Sequence, residues 1–290
     1  MSTNRVIGVD IGGTKVLAGI VDADGQVHET VERPTVTTSQ TALLEALADQ
    51  VLALPQDGID AVGFGIPTRI NHERGVALGS VNIPLRDVPF RDWMRDRIGL
   101  PVEIENDASC AALAESRFGA GKGVRDLVLL TLGTGVGGGV VFGGKLFRAH
   151  TELGHMVIVA DGAPCQGACT GRGHLEAYCS GLAANKLAKE LVGDHATSYD
   201  LVRDKHPVLG DIGHHLGIGI GSLVNIFGAT RVLIGGGFGI AAFELLLPSA
   251  RVAVLREALA PSGQELEIEP AKLGGEAGLI GAGLVAFEAL

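Results

Sequence analysis

The sequence predicts a two-domain α/β protein in which each half begins with a β-hairpin closed by glycines. Residues 5–10 and 15–21 have the apolar character of buried strands, and a glycine turn separates them. Residues 126–147 repeat the order of strand, glycine-rich turn and strand. Alternating strands and helices follow each hairpin, so we expect a duplicated α/β architecture with a deep interdomain cleft.

The remaining elements are predicted from apolar patterning and from residues that begin or end helices. Residues 39–54 have helical spacing, start at the polar Ser39 and stop before the turn at 55–58. In chain order, the other predicted elements are a strand at 59–66, a helix near 90–97, a strand at 102–105, helices at 108–118, 182–192 and 211–227, a strand at 231–234 and a helix at 277–290.

The glycine-rich stretch at 119–123 indicates where one domain passes into the next. We expect a small N-terminal domain at 1–115 and a larger domain at 116–276. The closing helix at 277–290 is expected to pack back on the first domain.

Composition limits the classes of function. The 290 residues suffice for two cores, and 46% hydrophobic content excludes a disordered chain. A net charge of −10 disfavours nonspecific binding to nucleic acid or anionic membranes. The chain shows neither a secretory signal pattern nor a long uninterrupted apolar run, so we expect a cytoplasmic protein without a membrane span.

The first hairpin turn has the properties of a phosphate cradle. Gly12 and Gly13 leave backbone N–H groups unobstructed, Thr14 adds a hydroxyl donor, and Lys15 follows. Asp10 ends the preceding strand and could hold Mg²⁺ through water. A purely structural hairpin turn explains the same residues, and this segment alone leaves the choice open.

The second hairpin turn repeats this arrangement. Gly133, Thr134, Gly135 and Gly137 lie in the segment LGTGVGGG. Its spacing fits neither a Walker loop nor a Rossmann fingerprint, so hairpin tips are expected to hold the phosphates. Two matched turns favour nucleotide binding more than one does.

A polar segment, Glu105-Asn106-Asp107, follows the strand at 102–105 and precedes a helix. Ligands of open α/β sheets gather at the carboxyl ends of strands. Asp107 could therefore act as a general base toward an alcohol that attacks phosphorus. The alternative is that Asp107 only caps the helix that begins at residue 108.

A group of thiols and imidazoles lies within twenty residues of the second half. His155, Cys165, Cys169 and His174 supply the ligand types that tetrahedral zinc takes, and four protein ligands make such a site structural. Incidental surface histidines with paired or buried cysteines are the alternative. Glu152 and Glu176 flank the group, so a folded metal loop would also orient two acids.

Taken together, these segments resemble the ROK family of bacterial sugar kinases and repressors, within the actin-like ATPase superfamily, over essentially the whole chain. The resemblance implies the two-domain actin-like ATPase (ribonuclease H-like) fold. The matching segments are DIGGTK at 10–15, VNIP at 81–84, END at 105–107, LGTGVGGG at 132–139, ELGH at 152–155, LE at 175–176 and IGGG at 234–237.

The resemblance also implies residue roles. Asp107 is the expected catalytic base, and the turn at 234–237 is expected on the adenosine side of the nucleotide. The implied adenosine-side residues are Gly235, Gly236 and Gly237, and the implied sugar-binding residues are Asn82, Asn106, Asp107, Glu152, His155 and Glu176.

Three features depart from the family pattern. The usual CxCGxxGC is opened to the segment 165–169, and His174 replaces its last cysteine, which leaves zinc plausible with an altered site. Thr68 stands where a glycine is common. The first phosphate motif begins by residue 10, so we do not expect the helix-turn-helix that the family's repressors carry ahead of it.

The expected function is that of an ATP- and Mg²⁺-dependent hexose kinase, most simply a glucokinase, with structural Zn²⁺ and a small-molecule hexose as its partner. A homodimer or homotetramer is expected. Kinases for N-acetylhexosamines or fructose, polyphosphate as the donor, and a sugar-sensing regulator without catalysis remain alternatives.

Overall fold

A computed structural model of the chain describes residues 5–80, 82–149 and 151–290, and it confirms the α/β class. Val81 of the predicted VNIP segment and the first four residues lie outside this description. Backbone contacts divide the chain into two compact units, one of 5–118 with Gly275–Leu290 and one of Gly119–Gly274. The boundaries of independent domains stay a prediction.

The strands belong to three sheets of order β3-β2-β1-β4-β8, β5-β6-β7 and β11-β10-β9-β12-β13. Their bounds are β1 (Arg5–Ile11), β2 (Lys15–Asp22), β3 (Val27–Pro34), β4 (Ile59–Ile66), β5 (Arg69–Asn71), β6 (Val76–Gly79), β7 (Arg86–Val88), β8 (Val102–Asn106), β9 (Leu127–Leu132), β10 (Val136–Phe142), β11 (Lys145–Leu146), β12 (Arg231–Gly235) and β13 (Glu267–Pro270).

The helices lie between or after runs of these strands. Their bounds are α1 (Gln40–Leu52), α2 (Phe90–Ile98), α3 (Asp107–Phe118), α4 (Glu176–Cys179), α5 (Gly181–Leu191), α6 (Ser198–Arg203), α7 (Val208–Phe227), α8 (Gly237–Glu257), α9 (Ser262–Glu265) and α10 (Ala277–Phe287). Helices α4 to α7 follow one another without a strand between them. Short 3₁₀ turns lie at Leu153–His155 and Gly274–Glu276.

Both larger sheets contain the predicted glycine-tipped hairpin. β1 and β2 are antiparallel with Ile11 opposite Val16, and β9 and β10 are antiparallel with Leu132 opposite Val136. In each sheet a parallel strand lies beside the first strand of the hairpin, β4 beside β1 and β12 beside β9. The repeated layout read from the sequence is therefore present in both units.

In the first unit, α10 lies directly on the backbone of the sheet. A Cβ atom added to Gly63 would overlap the carbonyl oxygen of Ala282, and one added to Gly8 would overlap that of Leu279. Glycine is needed at both positions because the helix approaches β1 and β4 too closely for any side chain. Helix α10 thus joins the unit that contains the N-terminal strands.

Several parts of the structure were not predicted, and three of them show why. The small sheet β5-β6-β7 consists of strands of three or four residues, which are too short to show an alternating pattern. Strand β13 has the sequence Glu267–Pro270, which is largely polar. Helix α8 begins among glycines and contains Pro248, features that ordinarily indicate a loop or a helix end.

Helix α8 is also, among the described residues, the one helix long and apolar enough to cross a membrane by length and composition. Of its most apolar window, 44% is buried inside the protein. A core helix of a water-soluble protein meets the same criteria, so this helix is weak evidence for a membrane span.

Candidate active site

In the first unit, three parallel strands bring polar residues to one edge of the sheet. Asp10 is in register with Gly65 of β4, and Ile66 is in register with Asn106 of β8. The carboxyl ends of β1, β4 and β8 therefore meet, as in open α/β sheets that bind ligands there. Asp10 and Asp107, predicted from separate segments, lie near enough for their charges to interact.

The capping role considered for Asp107 is performed by its neighbour. The side-chain Oδ1 of Asn106 accepts a hydrogen bond of 3.1 Å from the backbone N–H of Ser109, three residues on. This is the bond that an N-cap residue makes. Oδ1 of Asp107 accepts from the N–H of Ala108 at 2.9 Å. Asp107 thus stands in the first turn of α3 and is not needed as the cap of that helix.

The Asp10 carboxyl group is disfavoured in its charged form. Burial, reinforced by the negative charge of Asp107 and partly offset by Lys15, raises the pKa of Asp10 from 3.8 to about 7. The group lies beside the first turn of α10, where a Cβ on Gly278 would come within 2.5 Å of the Asp10 carboxyl carbon. A cation at this edge would favour the ionised form of Asp10.

The first glycine turn is stabilised by hydrogen bonds from Thr35, which follows β3. Thr35 donates from its hydroxyl to the carbonyl of Gly12 at 2.8 Å and from its N–H to the carbonyl of Thr14 at 3.0 Å. Gly13 and Thr14 are exposed at the tip. The predicted site residue Asn82 lies over this turn, since a Cβ on Gly13 would lie 3.5 Å from that of Asn82.

Lys15 does not point into the turn as a free cation. Its Nζ lies 2.7 Å from Oε2 of Glu32 on β3, and both side chains are largely exposed. Exposed pairs of this kind contribute little to stability, so Lys15 can exchange this partner for another anion at small cost.

In the second unit, the other two predicted glycine segments share an edge. β9 and β12 are parallel with Thr131 beside Gly235, so the segments that follow them are adjacent. Gly236 has a φ of +79°, and a Cβ there would lie 2.5 Å from the carbonyl carbon of Leu132. Gly237 begins α8, so this segment is a strand-to-helix turn with its N–H groups at a helix N-terminus.

Glu176 is held against the second glycine turn. Its Oε2 accepts from the N–H of Val136 at 2.9 Å, and a Cβ on Gly135 would overlap the same oxygen. The carbonyl of Gly133 accepts from the N–H of Gly181 at 2.7 Å. Thr134 is exposed at the tip, and Gly137 lies in β10 opposite Thr131. Glu176, which is predicted to bind the sugar, thus contacts the turn that is predicted to bind phosphate.

The four predicted metal ligands come together. One ligand atom from each of His155, Cys165, Cys169 and His174 lies within 4.8 Å of all the others. The two histidine Nδ1 atoms are 3.1 Å apart, Cys165 Sγ is 3.7 Å from Nδ1 of His155, and Cys169 Sγ is 3.6 Å from Nδ1 of His174.

These distances fit a tetrahedral zinc ion. Zinc bonds of about 2.05 Å to nitrogen and about 2.3 Å to sulfur place tetrahedral ligands roughly 3.4 Å apart for two nitrogens and roughly 3.6 Å for nitrogen and sulfur. In the metal-free protein, burial above all raises the pKa of the Cys165 thiol to about 11, with smaller contributions from Cys169 and Glu176. A metal would have to displace that proton.

The loop that carries the cluster is fixed by its own backbone. Cys165 donates its N–H to Gly171 at 2.9 Å, and Gly173 donates to Ala163 at 2.8 Å. Gly173 has a φ of +71°, and a Cβ on it would overlap the carbonyl of Val159. The geometry that gathers the ligands is therefore specified by the loop sequence.

The acids predicted beside the cluster flank it. The carbonyl of Glu152 accepts from the N–H of His155 at 3.0 Å, and the side chain of Glu152 is exposed. Oε1 of Glu176 lies 3.9 Å from Sγ of Cys165. His155 follows Gly154, which packs against the carbonyl of Val136 without room for a Cβ. Glu176 thus contacts both the cluster and the second turn, whereas Glu152 contacts the cluster through its backbone.

The sequence assigned no role to His72. Its Nε2 lies 3.1 and 3.0 Å from the two carboxylate oxygens of Glu105, which is almost completely buried. Oε1 of Glu105 also accepts from the N–H of Asn106 at 2.8 Å. A buried carboxylate needs hydrogen-bond partners, so the position of Glu105 in a predicted buried strand could have indicated that one exists. The sequence does not show which residue supplies that partner.

Comparisons with known proteins agree with this geometry. The glucokinase of Streptomyces coelicolor is 36% identical over 97% of both chains. The solved structure of a ROK family glucokinase from Streptomyces griseus, in complex with glucose and AMPPNP, superposes with a TM-score of 0.85 at 32% identity, covering 98% of this chain and 100% of that one. The xylose repressor of Caldicellulosiruptor bescii is 30% identical over 95% of this chain and 76% of its own length. The sequence model of the ROK family matches residues 6–289, and the chain belongs to that family.

Proposed function

We propose that this protein is an ATP-dependent glucokinase that transfers the γ-phosphoryl group of ATP to the 6-hydroxyl of glucose. The observation that carries the proposal is the meeting of Asp10, Asp107 and the turn at 12–15 at one sheet edge. The similarity to the Streptomyces coelicolor glucokinase over 97% of the chain supports the choice of glucose.

Asp107 is the proposed general base. Its carboxylate would accept the proton of the sugar hydroxyl as that oxygen attacks phosphorus, a role worth roughly 10²- to 10⁴-fold in rate. In phosphoryl transfer the protein mainly positions its reactants and balances charge. The hydrogen bond from Ala108 and the start of α3 hold Asp107 in a defined place for this task.

Asp10 is the proposed carboxylate for Mg²⁺, held through water. When bound, the ion neutralises charge on the phosphates. The turn at 12–15 is proposed to contact phosphate oxygens in the first unit, and Gly133, Thr134, Gly135 and Gly137 to do so in the second. The segment Gly235–Gly237 is proposed for the adenosine side, and the N-terminus of α8 that begins there would favour the phosphate next to the adenosine.

The proposed sugar contacts are hydrogen bonds to hydroxyl groups. Amides and carboxylates match them because each can bond hydroxyl groups in a fixed direction. The proposed residues are Asn82, Asn106 and Asp107 of the first unit, and Glu152, His155 and Glu176 of the second. With Nδ1 directed into the cysteine-histidine cluster, Nε2 of His155 is the atom available for the sugar.

We further propose that the cluster binds structural zinc. The ligand types and the spacings of 3.1, 3.7 and 3.6 Å support zinc over a hard cation such as Mg²⁺, which prefers oxygen. Zinc would fix the ring of His155 and the loop that leads to Glu176.

Substitution of Asp107 by Asn tests the catalytic assignment. We expect Asp107→Asn to lower glucose phosphorylation at least a hundredfold, because the amide cannot accept the proton, while glucose binding by calorimetry stays measurable. Asp194→Asn, an exposed position, is the matched control and should retain activity. Parent-like turnover by Asp107→Asn would refute the role of Asp107.

A sugar-sensing regulator is the second candidate, because a repressor is among the relatives: the xylose repressor of Caldicellulosiruptor bescii is 30% identical to this chain. The two candidates differ in a coupled assay across a dozen sugars with Mg-ATP. A regulator would be stabilised thermally by a sugar without ADP formation, whereas a kinase would form ADP and show which hexose it prefers. The homodimer or homotetramer stays a prediction that light scattering can test.

A further inference from the structure

Thr68 is a polar residue that is almost completely buried. It lies in the short connection between β4 and β5, directly before Arg69, and the residue is 4% exposed. Its hydroxyl donates to the carbonyl of Gly79 at 2.7 Å and accepts from the N–H of the same residue at 3.0 Å, with a longer contact of 3.2 Å to the carbonyl of Arg69. One side chain thus satisfies both backbone groups of Gly79 at the end of β6.

On one side, this pair of bonds fixes the start of the segment that carries Asn82. Gly79 is followed by Ser80, whose Oγ accepts from the N–H of Asn82 at 3.2 Å. Ser80 itself donates its N–H to the carbonyl of Leu85 at 3.1 Å. The position of Asn82 therefore depends on Gly79, and the position of Gly79 depends on its two hydrogen bonds with Thr68.

On the other side, Thr68 contacts Asn106. Its carbonyl accepts from Nδ2 of Asn106 at 3.4 Å, while Oδ1 of Asn106 caps α3. These two bonds orient the amide of Asn106, immediately before Asp107. Thr68 therefore helps to hold both Asn82 and Asn106, which come from distant parts of the chain.

We propose that Thr68 is a positioning residue for sugar recognition, which sets the spacing between Asn82 and Asn106 without touching the sugar. The inference rests on the proposed function, since those asparagines are proposed sugar ligands. Hydrogen bonds to hydroxyl groups depend steeply on distance and direction, so a shift of either asparagine weakens sugar binding. The residues proposed for the nucleotide do not include Thr68, Asn82 or Asn106, so we expect ATP binding to change less than sugar binding.

The test compares a variant that keeps the shape of Thr68 without its hydroxyl with a variant that keeps the hydroxyl without the methyl group. Thr68→Val removes the hydroxyl at nearly constant volume, and Thr68→Ser keeps it. If a displaced asparagine loses one hydrogen bond of ordinary strength to the sugar, Thr68→Val raises the KM for glucose roughly three- to tenfold. The KM for ATP should stay within about twofold, and Thr68→Ser should resemble the parent on the same reasoning.

Thr30→Val, on an exposed position of β3, is the matched control and should change neither KM. An unchanged KM for glucose in Thr68→Val would overturn the proposal. So would a parallel change of kcat and both KM values, with a lower Tm, in both Thr68 variants, because that pattern indicates a merely structural threonine.

Ser80→Ala is a second variant, which removes the hydroxyl that accepts from the N–H of Asn82 and leaves Thr68 unchanged. It should also raise the KM for glucose, and it covers the case in which Thr68→Val does not fold. A parent-like glucose KM in Ser80→Ala would then reject the proposal.

A failure of the proposed function gives a different result. If the parent phosphorylates no sugar but binds glucose in calorimetry, the kinase assignment fails and the glucose Kd of Thr68→Val decides the role of Thr68. If the parent neither phosphorylates nor binds any sugar of the panel, both proposals are wrong.

Discussion

Asp10 shows how a single residue links the stability of the fold to its proposed chemistry. Its carboxyl group is buried beside Asp107 and α10, so the ionised form that Mg²⁺ needs is disfavoured in the metal-free protein. Such groups often mark functional sites, because a fold retains a buried acid at a cost in stability. Phosphate and metal chemistry at this edge would explain the retention of Asp10.

The raised pKa predicts a dependence of stability on pH. Between pH 3.8 and about 7 the folded chain keeps a proton on Asp10 that the unfolded chain has lost, so the free energy of unfolding falls as pH rises through this window. A shift of about three pKa units corresponds to a decrease of about 4 kcal/mol in the free energy of unfolding across this window.

Asp10→Asn removes this titration and should flatten the dependence. Thermal denaturation without Mg²⁺, from pH 4.5 to 8, should show the variant gaining stability relative to the parent as pH rises. Parallel curves for the two proteins would mean that Asp10 ionises normally in the fold.

At the scale of elements, the two hairpins and most helices could be predicted because their signals are local. The turn at 12–14 is predicted by neighbouring glycines, and α1 by Ser39, whose Oγ accepts from the N–H of Ala42. The contact of His72 with Glu105 joins residues 33 positions apart, and Thr68 meets Gly79 across β5 and β6. A single sequence contains no local pattern for such pairs, so they emerge only when the small sheet is known.

Helix α10 provides a prediction about packing. A Cβ on Gly281 would overlap the carbonyl of Cys110, and both partners are backbone, so neither can move alone. Gly281→Ala should destabilise the protein by about 1–3 kcal/mol or more, although alanine favours an isolated helix by about 1 kcal/mol.

Gly275→Ala is the matched control, because a Cβ there meets no atom within 4 Å. Urea denaturation should show a lower midpoint for Gly281→Ala and nearly the parent's midpoint for Gly275→Ala. Equal midpoints in the two variants would show that α10 is free to move away from α3.

For the whole molecule, the chain combines one repeated scaffold with a loop whose group of metal-ligand side chains is not repeated among the described residues of the other unit. Both units contain a hairpin beside a parallel strand, and this repetition was visible in the sequence. The loop of residues 155–174 was visible as a set of ligand types, but their convergence on one point depends on backbone bonds such as that of Gly173. Its departure from the family spacing did not prevent the four atoms from meeting.

Metal removal tests whether this loop supports the chain. We expect about one zinc ion per chain in purified protein, and a lower Tm after chelation, because binding energy at a structural site is folding energy. His174→Ala should lose most of the zinc, whereas His195→Ala, an exposed histidine outside the cluster, should keep it. Elemental analysis and thermal denaturation of all three proteins measure both effects. A folded parent that neither contains zinc nor gains stability from added zinc would exclude a structural metal, and the backbone bonds of the loop alone would then have to orient His155 and Glu176.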